Sequence, residues 1–156
     1  MDAKFAGLVD QLAPKFAIFL AKQPVRNGQL PRGMPSSGIY LFSENGRHLY
    51  VGRSNNLRRR YGLHCRPSAE GGQASFAFLL AREATGKTKA PYRSGEDSRA
   101  GLMLSSEFGD AFRDAKLRIR EMDYRFVEEA DQNRQALLEI YCAVVLPTHY
   151  NDFGTH

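Results

Sequence analysis

Two tyrosines in a short predicted hairpin precede a dense run of arginines, and such a clustered basic face is expected to contact phosphate. The segment GIYLFSENGRHLYVGRSNNLRRRYGLH, residues 38–64, contains Tyr40 and Tyr50, and five arginines lie between positions 53 and 66. A guanidinium group binds phosphate oxygens in pairs, and a phenol can orient or deprotonate a water when nearby cations help it lose its proton. The segment therefore predicts a surface that binds phosphate, with two phenols close to it in the sequence.

A carboxylate in the last predicted helix, Glu139, also needs an explanation. It stands within ALLEIYCAVVL, a stretch that is apolar nearly all round and is therefore predicted to be buried. A buried carboxylate is costly unless it meets a cation, a hydrogen-bond donor or a proton. An ordinary salt bridge to an arginine and a functional role both meet this requirement, and the residues alone leave the two alternatives open.

The charge balance favours an acidic partner. Lys and Arg number 22 against 17 Asp and Glu, which gives a net charge of +5 and a pI near 9.4. The arginines cluster directly after the hairpin, as expected of a phosphate-binding surface. The apolar runs fall far short of the about 20 residues that a membrane span needs. Two cysteines, Cys65 and Cys142, and a start without a secretion signal favour a cytoplasmic protein.

The turn of the hairpin has two possible lengths. It can pass through Asn45-Gly46 alone, or through the three residues 44–46 with Gly46 in the left-handed conformation. Because register follows the hydrophobic pattern, we expect the three-residue turn. That turn gathers four aliphatic side chains on one face of the sheet, namely Ile39, Leu41, Leu49 and Val51. It also predicts that Tyr40 lies directly opposite Tyr50 on the other face.

Hydrophobic periodicity predicts the remaining elements. An N-terminal helical segment, residues 1–22, is interrupted by Pro14, which kinks or splits it. Arg60 and His64 are four positions apart and therefore share one face of the helix that follows the hairpin. The later pattern predicts helices over 75–85 and about 98–115, a strand over 117–128 with a bulge near Glu121, and a helix over 130–146.

Two tripeptide motifs and four single residues, spread over most of the chain, follow one another in an order that as a whole is specific to one family. Gly38-Ile39-Tyr40 is followed by Tyr50-Val51-Gly52, and then by Arg60, His64, Glu139 and Asn151. In this pattern the sequence resembles the GIY-YIG nuclease family, with valine in place of the usual isoleucine of the second motif. The tripeptides alone occur by chance, whereas the ordered set is a strong signal.

The resemblance implies an α+β fold, with a three-stranded antiparallel sheet flanked by helices. The two matched positions His64 and Glu139 are 139 − 64 = 75 residues apart, more than in compact members of the family. We therefore expect a single domain, residues 1–156, in which a nuclease core over 38–151 carries an extra N-terminal helix and a helical insertion at about 66–115.

The resemblance further implies a metal-dependent endonuclease that hydrolyses DNA. Glu139 is the expected ligand of one Mg²⁺ or Mn²⁺ ion, which would act as a Lewis acid. Arg60 is expected to clamp the scissile phosphate. Tyr40 or Tyr50 is expected to orient or deprotonate the attacking water, and the sequence does not decide between them.

The other matched residues are expected to assist. His64 would relay a proton or bind phosphate, and Asn151 would support the site structurally. Arg53 stands where several relatives carry a lysine and would assist electrostatically. The side chains expected to contact nucleic acid are Arg53, Arg58, Arg59, Lys87, Lys89 and Arg93.

A second reading is a non-catalytic nucleic-acid-binding module on the same scaffold. In that case Tyr40 and Tyr50 would only cover one face of the sheet, as strand aromatics often do. Glu139 favours the enzyme, because a pure binder has no need of a buried carboxylate beside a phosphate site. DNA is the expected substrate at the level of the family, and the sequence does not exclude RNA.

Overall fold

The structure, a computed structural model, describes residues 1–69, 73–87 and 99–154. The chain divides into two compact units. Unit 1 consists of Met1–Arg60 together with Met122–His156, and unit 2 consists of Tyr61–Glu121. The strands of the described residues all belong to unit 1.

The described residues form helices and strands in a mixed order. In chain order they are α1 Ala3–Asp10, α2 Leu12–Ala21, β1 Gly38–Glu44, β2 Arg47–Ser54, α3 Leu57–Cys65, α4 Ser75–Thr85, α5 Arg99–Leu104, α6 Ser106–Glu121, β3 Asp123–Glu128 and α7 Gln132–Val145. None of these helices combines the length and the apolar character that crossing a membrane would demand.

The three strands form one antiparallel sheet in the order β2-β1-β3, flanked by helices, which confirms the predicted α+β fold. The N-terminal segment is split as expected, because α1 ends at Asp10 and α2 begins at Leu12. Pro14 stands in the first turn of α2, where its missing N–H group costs no intrahelical hydrogen bond.

The predicted register of the hairpin was wrong. The turn has two residues, Asn45 and Gly46, both with positive φ (52° and 77°), as a type I′ turn requires. Ser43 pairs with His48, but the next pair is Phe42 with Tyr50, so Leu49 is an extra residue in β2. This β-bulge shifts the pairing by one residue.

Because of the bulge, Tyr40 lies opposite Gly52 and not opposite Tyr50. The predicted grouping of aliphatic side chains on one face of the sheet, however, is correct for the central residues. Ile39, Leu41 and Val51 are fully buried in a core with residues of α2 and α7. The bulge thus restores the hydrophobic alternation that a plain two-residue turn would have broken.

The opposite face of the sheet is aromatic. Its fully buried rings are Tyr40, Phe42 and Tyr124, and the Phe42 and Tyr124 rings have centroids 5.0 Å apart. The centroid of the Tyr40 ring lies 5.8 Å from that of Phe42 and 5.9 Å from that of Tyr124. Such tilted and edge-on ring pairs stabilise the sheet beyond the area that they bury.

Unit 2 has a core of its own, made by α4 and α6. The Phe78 and Phe108 rings have centroids 5.1 Å apart. Lys116 on α6 is buried, and its Nζ atom donates to the carbonyl oxygens of Pro67 at 2.6 Å and Ala69 at 2.8 Å. These two bonds satisfy a buried ammonium group and hold the segment that follows α3.

Two other predictions of local structure need correction. Residues 117–121 continue α6 and do not begin a strand, because the buried positions of α6 recur at helical spacing; they are Phe108, Phe112, Ala115, Lys116 and Ile119. The phase slip near Glu121 is therefore the end of a helix. The second half of α7 is not buried all round either, since 47% of Ile140 and 72% of Val144 are exposed.

Gly52 gives a direct test of how β1 and β2 pack. A β-carbon at this position would overlap the hydroxyl and the ring of Tyr40, which is buried and unable to move aside. We expect Gly52→Ala to lower the free energy of unfolding by about 2 kcal/mol, measured by urea denaturation. Gly7→Ala is the matched control, because no atom lies within 4 Å of its new β-carbon in α1, and we expect it to stabilise the protein. A Gly52→Ala protein as stable as the wild type would contradict this packing.

Candidate active site

Five side chains with suitable chemistry meet in unit 1 from four different elements. They are Tyr40 on β1, Tyr50 and Arg53 on β2, Arg60 on α3 and Glu139 on α7. The charges of Arg60 and Glu139 act on both phenols, and the charge of Arg53 acts on Glu139, which links the five groups electrostatically. Tyrosines, arginines and the carboxylate predicted from distant parts of the sequence are thus brought together by the fold.

Arg60 and the two tyrosines form one side of the site. The Nε atom of Arg60 donates to the hydroxyl oxygen of Tyr40 at 3.5 Å, a long hydrogen bond. The Tyr40 and Tyr50 rings have centroids 6.4 Å apart. Tyr40 is buried, whereas Tyr50 is only partly buried and keeps some contact with solvent.

Glu139 and Arg53 form the other side as an ion pair. The Nε atom of Arg53 lies 3.3 Å from Oε2 of Glu139. The exposed fractions of the two side chains are 43% for Arg53 and 20% for Glu139. The salt bridge that the sequence left open is therefore present, and it supplies the counter-ion that a partly buried carboxylate needs.

Burial makes both phenols weaker acids than usual. The pKa of Tyr40 is raised well above its ordinary value, chiefly by burial and further by Tyr50, while Arg60 opposes the shift. Burial also raises the pKa of Tyr50, with Arg60 again opposing it. Both phenols are therefore neutral at pH 7, and neither becomes a base without added positive charge.

The charged groups of the site shift one another as well. Burial raises the pKa of Glu139, although Arg53 and Arg60 lower it. Burial alone would lower the pKa of Arg60, but Tyr40, Tyr50 and Glu139 raise it, and the net shift is upward. The site thus keeps its arginine charged and leaves its carboxylate easier to protonate than an exposed one.

Asn151 fixes the edge strand of the sheet. Its Oδ1 atom accepts from the backbone N–H of Val51 and its Nδ2 atom donates to the backbone carbonyl of Val51, both at 2.8 Å. The N–H of Tyr150 donates to the carbonyl of Leu49 at 3.1 Å. The end of the chain therefore pairs with β2 much as another strand would, and it holds the segment between Tyr50 and Gly52.

A second set of contacts, which the sequence analysis missed, holds the start of α3. Asn56 caps the helix by accepting from the N–H of Arg59 at 3.1 Å. Asn55 exchanges two amide hydrogen bonds with Gln132 and accepts a third from buried Gln135 at 3.1 Å. These bonds tie the approach to α3 to the beginning of α7. Amide side chains carry little signal in a single sequence, because most of them lie at the surface.

The donor set is compatible with one hard cation. Within the described ranges, no group of three or more His, Cys, Asp or Glu side chains is placed to hold a metal ion. A cation at Glu139 would thus have one protein carboxylate, with water and phosphate oxygens completing its shell. Mg²⁺ suits such a site, because it keeps several waters and binds through one or two carboxylates and substrate phosphates.

The remaining predicted residues lie elsewhere or have other contacts. His64 is buried and belongs to unit 2, and its predicted catalytic role stays a prediction. Arg58 donates to the carbonyl of Pro31 at 2.6 Å, while Arg59 is exposed. Lys87 is exposed in unit 2. Two further predicted phosphate contacts, Lys89 and Arg93, lie outside the described residues.

Comparison with known families identifies the central part of the chain. Residues 36–93 match the family model of the GIY-YIG catalytic domain. The match contains the hairpin with both tyrosines and extends through Arg60 and His64, and it ends before Glu139 and Asn151. No curated protein and no solved structure matches the chain.

The pairing between Asn151 and Val51 can be tested by truncation. Asn151→Ala leaves the N–H and C=O groups of Val51 without their side-chain partners, and we expect the free energy of unfolding to fall by about 2 kcal/mol. Chemical denaturation measures the loss. Asn133→Ala, which removes an exposed amide from α7, is the matched control and should change stability little. Equal effects of the two substitutions would contradict the pairing.

The buried phenol of Tyr40 predicts a sensitivity to alkali. Its pKa is higher in the folded than in the unfolded protein, so the unfolded chain loses the proton first. The free energy of unfolding should therefore fall as the pH rises above about 10, the ordinary pKa of tyrosine. Tyr40→Phe should make this fall shallower, and Tyr50 accounts for part of the remainder. Denaturation curves at several pH values measure both slopes, and identical slopes would contradict the prediction.

Proposed function

Because residues 36–93 match the GIY-YIG catalytic domain, we propose that the protein is an endonuclease that hydrolyses phosphodiester bonds of DNA with one divalent cation, Mg²⁺ or Mn²⁺. Nuclease-type cleavage of DNA is the activity of the family. The observation that best supports the finer proposal is the meeting of Glu139, Arg60 and two phenols in one unit. These residue types match the needs of the reaction: a metal ligand, a phosphate clamp and a group that handles water.

Glu139 is the proposed metal ligand. A cation held there would act as a Lewis acid and stabilise the negative charge on the leaving oxygen. Glu139 is partly exposed, so solvent and a phosphate can reach its carboxylate. The pKa of Glu139 is raised by burial, and binding at this residue should weaken under acidic conditions, because protonation removes the ligand.

Arg60 is the proposed phosphate clamp. Its guanidinium already donates to the hydroxyl of Tyr40, which fixes its direction. A guanidinium held in place can bind the scissile phosphate and offset the charge that grows on it in the transition state. Asn56 and the amide cluster around Asn55 support this role, because they fix the start of the helix that carries Arg60.

Of the two tyrosines, Tyr50 is the better candidate to handle the attacking water. Tyr40 is buried and already accepts from Arg60, whereas Tyr50 is partly exposed and can meet a water. Tyr50 would orient that water through its hydroxyl. It would accept a proton only once cations at the site had lowered its pKa. Tyr40 would position Arg60.

The finer features of the protein are also proposals. The expected insertion, about 66–115, lies within the bounds of unit 2, and we expect the insertion to select the structure of the DNA and to do no chemistry. Arg53, Arg58, Arg59 and Lys87 are the described side chains proposed to contact phosphate. Cys65 and Cys142 are free and buried, which fits the reducing cytoplasm that we expect.

The proposed function is tested by cleavage of labelled single-stranded, duplex and branched DNA with Mg²⁺, Mn²⁺ or EDTA. We expect the wild type to cut only with metal, and Glu139→Gln to lose about 10³-fold in rate while keeping its fold by circular dichroism. Glu128→Gln, which neutralises an exposed carboxylate on β3, is the matched control and should retain activity.

Each other outcome has a definite meaning. A wild type that binds DNA without cutting any of the three substrates would indicate the binding module in place of the enzyme. Equal loss of rate in Glu128→Gln and Glu139→Gln would remove Glu139 from the metal site. Cleavage that persists in EDTA would contradict the metal-dependent mechanism.

A further inference from the structure

The proposed metal ligand is already engaged by an arginine. Nε of Arg53 lies 3.3 Å from Oε2 of Glu139, within the distance of an ion pair. A guanidinium and a divalent cation seek the same carboxylate oxygens. Both groups cannot hold Oε2 in full at once, because their positive charges repel each other at such short range. If Glu139 holds the metal, as proposed above, Arg53 competes with it.

The side chain of Arg53 can also move away from Glu139. Its side chain is 43% exposed, so it can turn away from Glu139 without opening the core of unit 1. It lies in β2 directly after Gly52, and no other ion pair involving it is found among the described residues. A phosphate is a strong alternative partner for a guanidinium, which can bind it through two parallel hydrogen bonds.

Arg60 provides a useful contrast. It influences Glu139 through its charge, whereas Arg53 lies within ion-pair distance of the carboxylate. Arg60 is instead bonded to Tyr40. The two arginines therefore act on Glu139 differently. Arg53 is paired directly with its carboxylate, whereas Arg60 acts on it only through its electrostatic field.

We propose that Arg53 blocks Glu139 in the free protein and releases it when a DNA phosphate takes the guanidinium. Arg53 is then a positioning residue that makes the binding of DNA and of the divalent cation cooperative. The coupling is reciprocal, because any ligand that removes Arg53 from Glu139 favours the other ligand by the same factor. The metal site is complete only on bound DNA. This inference rests on the proposed function, since it takes Glu139 as the metal ligand.

The test is binding of Mn²⁺, followed by the electron paramagnetic resonance signal of the free ion, so no cleavage is needed. Without DNA, we expect Arg53→Gln to bind Mn²⁺ about tenfold more tightly than the wild type, the scale of a partly buried ion pair. Addition of a phosphorothioate oligonucleotide that resists cleavage should tighten Mn²⁺ binding by the wild type. It should tighten binding by Arg53→Gln much less.

Three controls separate the possible causes. Arg60→Gln removes a nearby positive charge that makes no bond to Glu139, and it should raise Mn²⁺ affinity less than Arg53→Gln does. Arg53→Lys keeps the charge and should behave more like the wild type than Arg53→Gln does. Arg47→Gln removes an exposed arginine at the other end of β2 and should leave Mn²⁺ affinity without DNA unchanged.

The proposal is overturned if Arg53→Gln binds Mn²⁺ no more tightly than the wild type, or if Arg60→Gln gains as much affinity. In the second case the general field of the site, and not competition for the carboxylate, sets the affinity. Glu139→Gln distinguishes these results from a failure of the proposed function. If that variant binds Mn²⁺ as the wild type does, Glu139 is not the ligand, and the metal assignment itself is wrong.

Discussion

One extra residue in β2 determines how the hairpin presents its side chains. The type I′ turn at Asn45-Gly46 suits the twist of the two strands, but its register alone would mix aliphatic and aromatic side chains on both faces. The bulge at Leu49 shifts the pairing by one residue, so that Tyr40 packs over Gly52. The aliphatic core, the aromatic face and the direction of Tyr50 all depend on that shift, because side chains alternate along a strand.

The catalytic candidates are held by hydrogen bonds made away from the chemistry. Asn151 holds the outer edge of β2 through both backbone groups of Val51, next to Tyr50. Asn55 and Gln135 join the loop before α3 to the first turn of α7. Because α7 carries Glu139 and α3 carries Arg60, these bonds fix the elements that supply the two groups of opposite charge.

The site places polar groups where burial makes ionisation costly. The two phenols remain protonated because burial disfavours their charged forms, and the charged form of Glu139 is favoured by two arginines. In such surroundings the arrival of one cation or one phosphate changes the energies of every other charge. A site of this kind responds strongly to its ligands, whereas the same residues on an open surface would be screened by solvent.

The sequence by itself determined the match to the GIY-YIG catalytic domain over residues 36–93 and the α+β class, and it named the residues that meet in unit 1. Ordered motifs and periodic apolar positions depend only on residue type and spacing, so they can be read along the chain. The split of the N-terminal segment, which Pro14 indicated, and the end of α4 at Gly86, which has φ 74°, were predictable for the same reason. The supporting role expected of Asn151 also agrees with its two bonds to Val51.

Only the tertiary structure decided the register, the partner of Glu139 and the contacts that hold α3. The two-residue turn and the hydrophobic pattern favour different registers of the hairpin. The bulge in β2 accommodates both, and local sequence rules do not predict where such a bulge occurs. Residues 117–121 alternate like a strand, yet packing within unit 2 keeps them helical. The sequence presented several arginines as possible partners for Glu139. Arg53 became the partner because distant elements fold together and bring one guanidinium within reach of that carboxylate.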